Sequence, residues 1–299
     1  MKVLLLTQPM PAAPYIEAIS ALAPELELVE YRSALADAEL ATVDIALGWR
    51  LPSGLAARMP RLGWVCSTAA GVEKLLVPDL APHVVVSRIV DPEQAAGIAQ
   101  FVVTMVLRHA RELERYAAQQ QQRSWLRNPL PIARHRVLVL GTGAMGGEIV
   151  DWLGRVGLQA RGWNRRSPER LTTLLGQSDV VVCALPLTEA TEGLLDARVF
   201  AAMPPGGYVV NVARGAHVVE PDLIAAVRSG HLAGAALDVQ RREPMADDDP
   251  LWSVPGITIT PHIAAQSSPE VICGQFVAAL RAQQRGERAP NAIDRSLGY

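Results

Sequence analysis

Apolar positions along this chain fall into two alternating series with one long helical stretch between them. The first series has short apolar runs at Val3–Leu6, Leu26–Tyr31, Val43–Leu47, Leu62–Ser67 and Val84–Ser87, several of them separated by segments with helical spacing. Runs of this length alternating with helices predict a parallel sheet covered by helices. From Glu93 to about Gln122 the spacing predicts one long helix with no strand inside it, ended by Pro129 and Pro131. The second series has runs at Arg136–Leu140, Leu158–Trp163, Asp179–Ala184, Gly207–Asn211, Ala233–Leu237 and Ile257–Thr260, again with helices between. A last helix should start at Ser268-Pro269-Glu270, a cap residue followed by a first-turn proline and an acid, and stop at Gly286. The expected architecture is α/β with two doubly wound domains. Residues 98–268 would form the second domain. Residues 1–97 would form the first, joined there by 269–299 if the last helix returns to it.

Composition narrows the function classes. The 299 residues are 49% hydrophobic and 19% charged, the signature of a globular chain. A formal net charge of −2 gives no global basic field for nucleic acid. No apolar run approaches the ~18 residues of a membrane helix, and the apolar start breaks at Pro9 and Pro11, too early for a signal peptide. Cys66, Cys183 and Cys273 have no metal-binding spacing and read as reduced, buried thiols of a cytoplasmic protein. Only Lys2 and Lys74 are lysines, which argues against Schiff-base chemistry.

Val137-Leu138-Val139-Leu140 runs straight into Gly141-Thr142-Gly143-Ala144-Met145-Gly146-Gly147, and an amphipathic segment follows. A lone GxGxxG is weak, but strand-to-helix is the context its mechanism needs. Gly141 makes the tight turn, Gly143 lets backbone approach a pyrophosphate, and Gly146 lets the helix pack close to the sheet. The helix N-terminus offers N–H groups to the anion. The next strand ends in Trp163-Asn164-Arg165-Arg166. Asn164 stands where an NAD enzyme usually has an acid for the ribose 2′-hydroxyl, and two arginines follow that could bind the 2′-phosphate of NADP. The pattern favours NADP(H) over NAD(H), against the plain alternative of an exposed arginine pair in an arginine-rich chain.

Ligands of open α/β sheets gather at the carboxyl ends of strands. The remaining strands of the second series end in Leu185-Pro186, Ala213-Arg214, Asp238 followed by Glu243, and Pro261-His262. One arginine, two carboxylates and one histidine thus share one sheet edge. Taken singly, each has a plainer reading: Arg214 as a surface arginine, Asp238 as a loop cap, Glu243 in the polar run 240–243 as a solvated acid, His262 as a core histidine. His83, His109, His135 and His231 occupy no comparable position. His217 lies close enough to Arg214 to support it.

These motifs carry a resemblance. Gly141–Gly146, Leu185-Pro-Leu-Thr188, Asn211-Val-Ala-Arg-Gly215, Gly234-Ala-Ala-Leu-Asp-Val239, Glu243-Pro244, Pro250-Leu-Trp252 and Thr260-Pro-His262 resemble the D-isomer-specific 2-hydroxyacid dehydrogenases over essentially the whole chain. Within that family, Trp163 with its following arginine, His262-Ile-Ala-Ala265 and the ending Asp294–Tyr299 look most like the NADPH-preferring glyoxylate/hydroxypyruvate reductase A group. The resemblance implies a Rossmann NAD(P)-binding domain and a flavodoxin-like substrate domain. It implies hydride transfer to a small 2-oxo acid, giving the D-2-hydroxy acid. Arg214 would bind the substrate carboxylate and polarise the ketone, His262 would give the proton, and Glu243 would orient His262 and favour its protonated form. Asp238 would hold the nicotinamide carboxamide. In the first domain, Ser67–Val72 with Ala70 and Gly71 would cradle the substrate carboxylate. Trp49 would flank the pocket, and Trp125 could close it, core or dimer packing being the alternative for both tryptophans. Gln100 stands where relatives commonly have Glu. No metal is implied. A homodimer through the helix after residue 93 is implied by the family. The reading from another class is a dinucleotide-sensing interaction protein on the same fold, disfavoured by the absence of long tails or a basic patch.

Overall fold

The computed structural model describes residues 1–167 and 169–298. Pro168 and Tyr299, the latter closing the C-terminal motif quoted above, lie outside the described residues. The chain divides into two compact units, Met1–Asp91 with Gln266–Tyr299, and Pro92–Ala265.

In the first unit, β1 (Lys2–Leu6), α1 (Ala13–Leu22), β2 (Glu27–Glu30), α2 (Asp37–Leu40), β3 (Ile45–Gly48), β4 (Trp64–Ser67) and β5 (Val85–Ser87) follow one another. All pairings are parallel, in the order β2-β1-β3-β4-β5. That is the flavodoxin-like order, with its switch between β1 and β3. All five expected strands are present. The central ones are buried on both faces because apolar side chains point to both: Val3, Leu5, Ile45 and Leu47 into one core, Leu4, Leu6, Ala46 and Val65 into the other.

The second unit runs α3 (Pro92–Ala110), α4 (Leu113–Gln121), β6 (Arg136–Leu140), α5 (Ala144–Arg155), β7 (Gln159–Trp163), α6 (Leu171–Leu175), β8 (Val180–Cys183), α7 (Ala197–Ala202), β9 (Gly207–Asn211), α8 (Glu220–Arg228), β10 (Leu232–Leu237) and β11 (Ile257–Ile259). Its six strands are parallel, in the order β11-β10-β9-β8-β6-β7. The expected α/β class and both doubly wound sheets are present.

The single long helix expected from Glu93 to Gln122 is two helices. Glu112 stands between them in the left-handed region, at φ 52°. Apolar spacing alone does not see this break. It is held by polar contacts, since the Glu112 carboxylate accepts from the side chains of Arg115 and Asn128. The last helix, α9 (Pro269–Gln284), starts as its sequence predicts, with Ser268 Oγ accepting from Val271 N–H. It belongs to the first unit, where its buried face, Ile272, Cys273, Phe276 and Leu280, joins the core of β1 and β3.

Candidate active site

The register of the second sheet explains why six loops leave from one line. Trp163 pairs with Leu140, Leu140 with Cys183, Cys183 with Asn211, Asn211 with Leu237, and Leu237 with Ile259. This row closes the sheet at its carboxyl edge. The residues just beyond it are the ones the sequence singled out. Adjacent strands lie ~4.8 Å apart, so Arg214, Asp238 and His262 come from three neighbouring positions.

At the β6 end, Gly141 has φ 107°, and a Cβ there would stand 2.6 Å from the Ala184 carbonyl oxygen. A Cβ on Gly146 would collide with the carbonyl of Gly141, so helix α5 sits as close to the turn as backbone allows. Gly143 caps α5, and apart from its chain neighbours and the adjoining helix backbone nothing lies within 4 Å of where its Cβ would be. Gly143 and Ala144 are exposed and Met145 is half-buried, which leaves the helix N-terminus open to a ligand. The loop is therefore tight where it meets the sheet and open where a pyrophosphate would lie.

At the β7 end, Asn164 builds the turn. Its Nδ2 donates to Thr142 Oγ1 at 2.6 Å, and its Oδ1 accepts from the Arg166 N–H at 2.8 Å. The side chain thus joins this turn to the glycine loop. Arg165 and Arg166 are exposed, and among the described residues no ion pair engages either. Two unneutralised guanidinium groups beside a glycine loop suit a phosphate.

At the β8 end, Leu185 is buried and Pro186 half-buried. At the β9 end, buried Asn211 donates through Nδ2 to the Arg214 carbonyl at 2.9 Å and accepts from the Ala213 N–H at 3.1 Å. The turn that presents Arg214 is therefore fixed by the last residue of the strand. Gly215 follows because a Cβ there would overlap the Gln240–Arg241 backbone. That close approach brings the Arg214 turn against the loop that carries Glu243.

Asp238, 1% exposed, accepts from Thr260 Oγ1 at 2.6 Å, Ile263 N–H at 2.9 Å and Ala264 N–H at 3.0 Å. Its own carbonyl accepts from the His262 N–H at 2.8 Å. These bonds hold residues 260–264 in a turn with His262 at φ 57°, a conformation uncommon for a non-glycine residue. Asp238 thus builds the His262 loop, in line with its plainer reading as a loop cap, and it does so at the site edge. Its Oδ2 takes one of the three donors and keeps capacity for another.

The pair itself is direct. His262 Nδ1 lies 3.0 Å from Glu243 Oε2, and the two side chains are 42% and 30% exposed. Glu243 Oε1 accepts from the Gln240 N–H at 3.1 Å. The run 240–243 is not uniformly solvated. Gln240 is 7% exposed, and its Nε2 donates to the carbonyls of Leu237 and Thr260, tying the ends of β10 and β11 together. A polar residue three places past a strand end was the available signal. With Nδ1 facing a carboxylate, the ring directs Nε2 away from it.

In the first unit, Trp49 follows β3. Its Nε1 donates to the Gln8 carbonyl at 2.6 Å, and Lys74 Nζ lies 3.9 Å from its ring centroid. Ala70 and Gly71 are half-buried in the turn after β4, which Ser67 Oγ closes by accepting from the Ala69 N–H and donating to the Gly71 carbonyl. Trp125 stands 92% exposed. Among the described residues there is no His/Cys/Asp/Glu cluster suited to a metal.

Comparison with known proteins places the fold among one family. The family model described as D-isomer specific 2-hydroxyacid dehydrogenase, NAD binding domain, matches residues 103–264. A glyoxylate/hydroxypyruvate reductase A of Yersinia enterocolitica is 33% identical over 276 residues, 86% of this chain and 88% of that protein. A D-isomer specific 2-hydroxyacid dehydrogenase from Xanthobacter autotrophicus, solved with NADPH and MES, is 35% identical at a TM-score of 0.90, covering 100% of this chain and 99% of the other. An NADPH-dependent glyoxylate/hydroxypyruvate reductase of Sinorhizobium meliloti, solved with NADP and sulfate, is 27% identical at 0.91, covering 100% and 99%.

Proposed function

The chain belongs to the D-isomer-specific 2-hydroxyacid dehydrogenase family, and from that premise we propose that it reduces a small 2-oxo acid, such as glyoxylate or hydroxypyruvate, to the D-2-hydroxy acid with NADPH. The observation that carries this is the 3.0 Å contact of His262 with Glu243, one strand position from Asp238 and two from Arg214. The relatives bear reductase names, which does not favour the interaction-protein alternative.

The cradle fits a dinucleotide. Gly141, Gly143, Ala144, Met145 and Gly146 would take the pyrophosphate, and Asn164, Arg165 and Arg166 the 2′-phosphate end. Leu185, Pro186, Ala213 and Asp238 would line the nicotinamide end. When bound, the cofactor supplies hydride to the carbonyl carbon. Arg214 binds the substrate carboxylate and draws charge from the ketone as negative charge builds on its oxygen. His262 delivers a proton from Nε2 to that oxygen. Glu243 fixes the ring through Nδ1, and the Asp238 turn fixes its backbone.

Residues 1–91 with 266–298 are assigned the substrate domain, with Trp49, Ala70 and Gly71 as substrate contacts. Residues 92–265 are assigned the dinucleotide domain. A homodimer is supported by the exposed apolar side chains Leu113, Trp125, Leu126 and Ile132 between α3 and β6. A cytoplasmic location is supported by three free, buried cysteines. Among the described residues no helix is long and apolar enough to cross a membrane.

Absorbance at 340 nm with glyoxylate or hydroxypyruvate, run side by side with NADPH and NADH, tests the reading. Oxidation faster with NADPH is expected. Oxidation with NADH alone would keep the reaction and remove the phosphate argument. No oxidation with either, over a panel of 2-oxo acids, would overturn it.

A further inference from the structure

His217 is fully buried at 0% exposure, and both of its ring nitrogens meet backbone carbonyls. Nδ1 lies 3.0 Å from the carbonyl oxygen of Arg214, and Nε2 lies 3.3 Å from that of Pro186. The two carbonyls belong to different loops, one after β9 and one after β8. Each is also held from elsewhere. Asn211 Nδ2 and the His217 N–H donate to the Arg214 oxygen, and Thr191 Oγ1 donates to the Pro186 oxygen at 2.7 Å. An imidazole buried in this way costs free energy unless its polar atoms are paired. A phenyl ring would fill the same space without that cost. What the imidazole adds is a ring nitrogen facing each of the two carbonyls. Both partners are acceptors, so a singly protonated ring donates to one and a doubly protonated ring to both.

We propose that His217 is a positioning residue that clamps the Arg214 turn to the Pro186 loop, fixing the guanidinium that binds the 2-oxo acid against the loop that lines the nicotinamide end. This rests on the reductase reading above and deepens it. The residue touches neither substrate nor cofactor and acts through two backbone oxygens. Its removal therefore loosens substrate binding while the pyrophosphate and 2′-phosphate contacts, which lie at the ends of β6 and β7, stay in place.

The test is steady-state kinetics on His217→Phe, His217→Asn and His217→Gln, with the melting temperature of each. One lost hydrogen bond is worth about a factor of ten. His217→Phe should raise KM for the 2-oxo acid by about tenfold or more, with KM for NADPH within about threefold. His217→Gln, whose amide reaches toward Pro186, should return the 2-oxo acid KM to within about threefold, whereas His217→Asn, whose amide stays near the Nδ1 position within the Arg214 turn, should not. Should the phenylalanine variant fail to fold, the contrast between asparagine and glutamine carries the test. Unchanged KM values in the phenylalanine variant would overturn the clamp. So would both KM values moving together with a lower melting temperature, or asparagine and glutamine behaving alike. An unaltered chain that oxidises no NADPH with any small 2-oxo acid would instead overturn the reductase reading, and the clamp with it.

Discussion

His262 and His109 serve the same parallel sheet from opposite ends, and their surroundings make them different chemical objects. His262 leaves the carboxyl edge after β11, half exposed, with a carboxylate 3.0 Å from Nδ1 and its backbone held in a left-handed turn. His109 lies in the last turn of α3 against the amino half of β9. Its ring stacks on Tyr208 at 4.2 Å between centroids and 10° between planes, with His135 edge-on at 5.9 Å. Burial pushes the His109 ring down to about 4, the neighbouring His135 adds to this, and Glu114 and Glu112 oppose it. Burial likewise pushes Tyr208 up to about 12. One end of the sheet spends its polar groups on aiming a ring, and the other strips a ring of charge so that it packs as an aromatic. A histidine in this fold is therefore read from which end of a strand it serves.

The sharpest way to break the contrast is His262→Gln. General acid catalysis contributes about 10²–10⁴-fold, and kcat should fall by that order while NADPH still binds with unchanged affinity. Rapid-mixing absorbance measures the first and nucleotide fluorescence titration the second. Activity near that of the unaltered chain would remove His262 as the acid.

A smaller effect belongs to the other end of the same edge. Each charge-assisted bond to a phosphate is worth about 1.5–3 kcal/mol, less when exposed. Arg165→Ala combined with Arg166→Ala should raise KM for NADPH by about 10- to 100-fold and leave KM for NADH nearly unchanged. Equal changes for the two cofactors would show that the pair does not read the 2′-phosphate.

Asp238→Asn probes what aims His262. Asparagine offers one acceptor oxygen where the carboxylate now takes Thr260 Oγ1 and two backbone N–H groups. A buried donor left unpaired costs about 1–3 kcal/mol, which urea unfolding should show as a lower midpoint with an unchanged slope. An unchanged midpoint would deny Asp238 its part in building the loop.

Much of this was legible beforehand because strands and strand ends leave strong marks. Apolar runs gave every strand, and Arg136–Leu140 and Gly207–Asn211 match residue for residue. Glycines between a strand and a helix marked the cradle, and single polar residues after strands marked Arg214, Asp238 and His262. What stayed hidden depends on partners far along the chain. The break at Glu112 is held by Arg115 and Asn128, which no periodicity shows. Gln240 looked like part of a solvated run, and only the closeness of β10 to β11 makes it a buried tie. Asp238 was legible as a site residue but not as the anchor of three donors, because those donors come from the following strand end.

The gentlest test returns to the amino end. An ordinary histidine titrates near 6.5, and His109 in the folded chain near 4. Its lowered value means that the folded state favours the neutral ring. Its contribution is complete above pH 6.5, is lost progressively as pH falls toward 4, and is gone below that. The loss is at most on the order of 3 kcal/mol across the window. His109→Phe keeps an aromatic ring over Tyr208 and removes the titration. At pH 7.5 it should leave kcat and KM unchanged, since His109 serves the edge opposite to His262. Between pH 6.5 and 4 it should lose less stability than the unaltered chain, measured by urea midpoints along a pH series. Parallel acid curves for the two proteins would mean that His109 pays no desolvation cost in the fold, and the division of labour between the two ends of the sheet would lose its electrostatic basis.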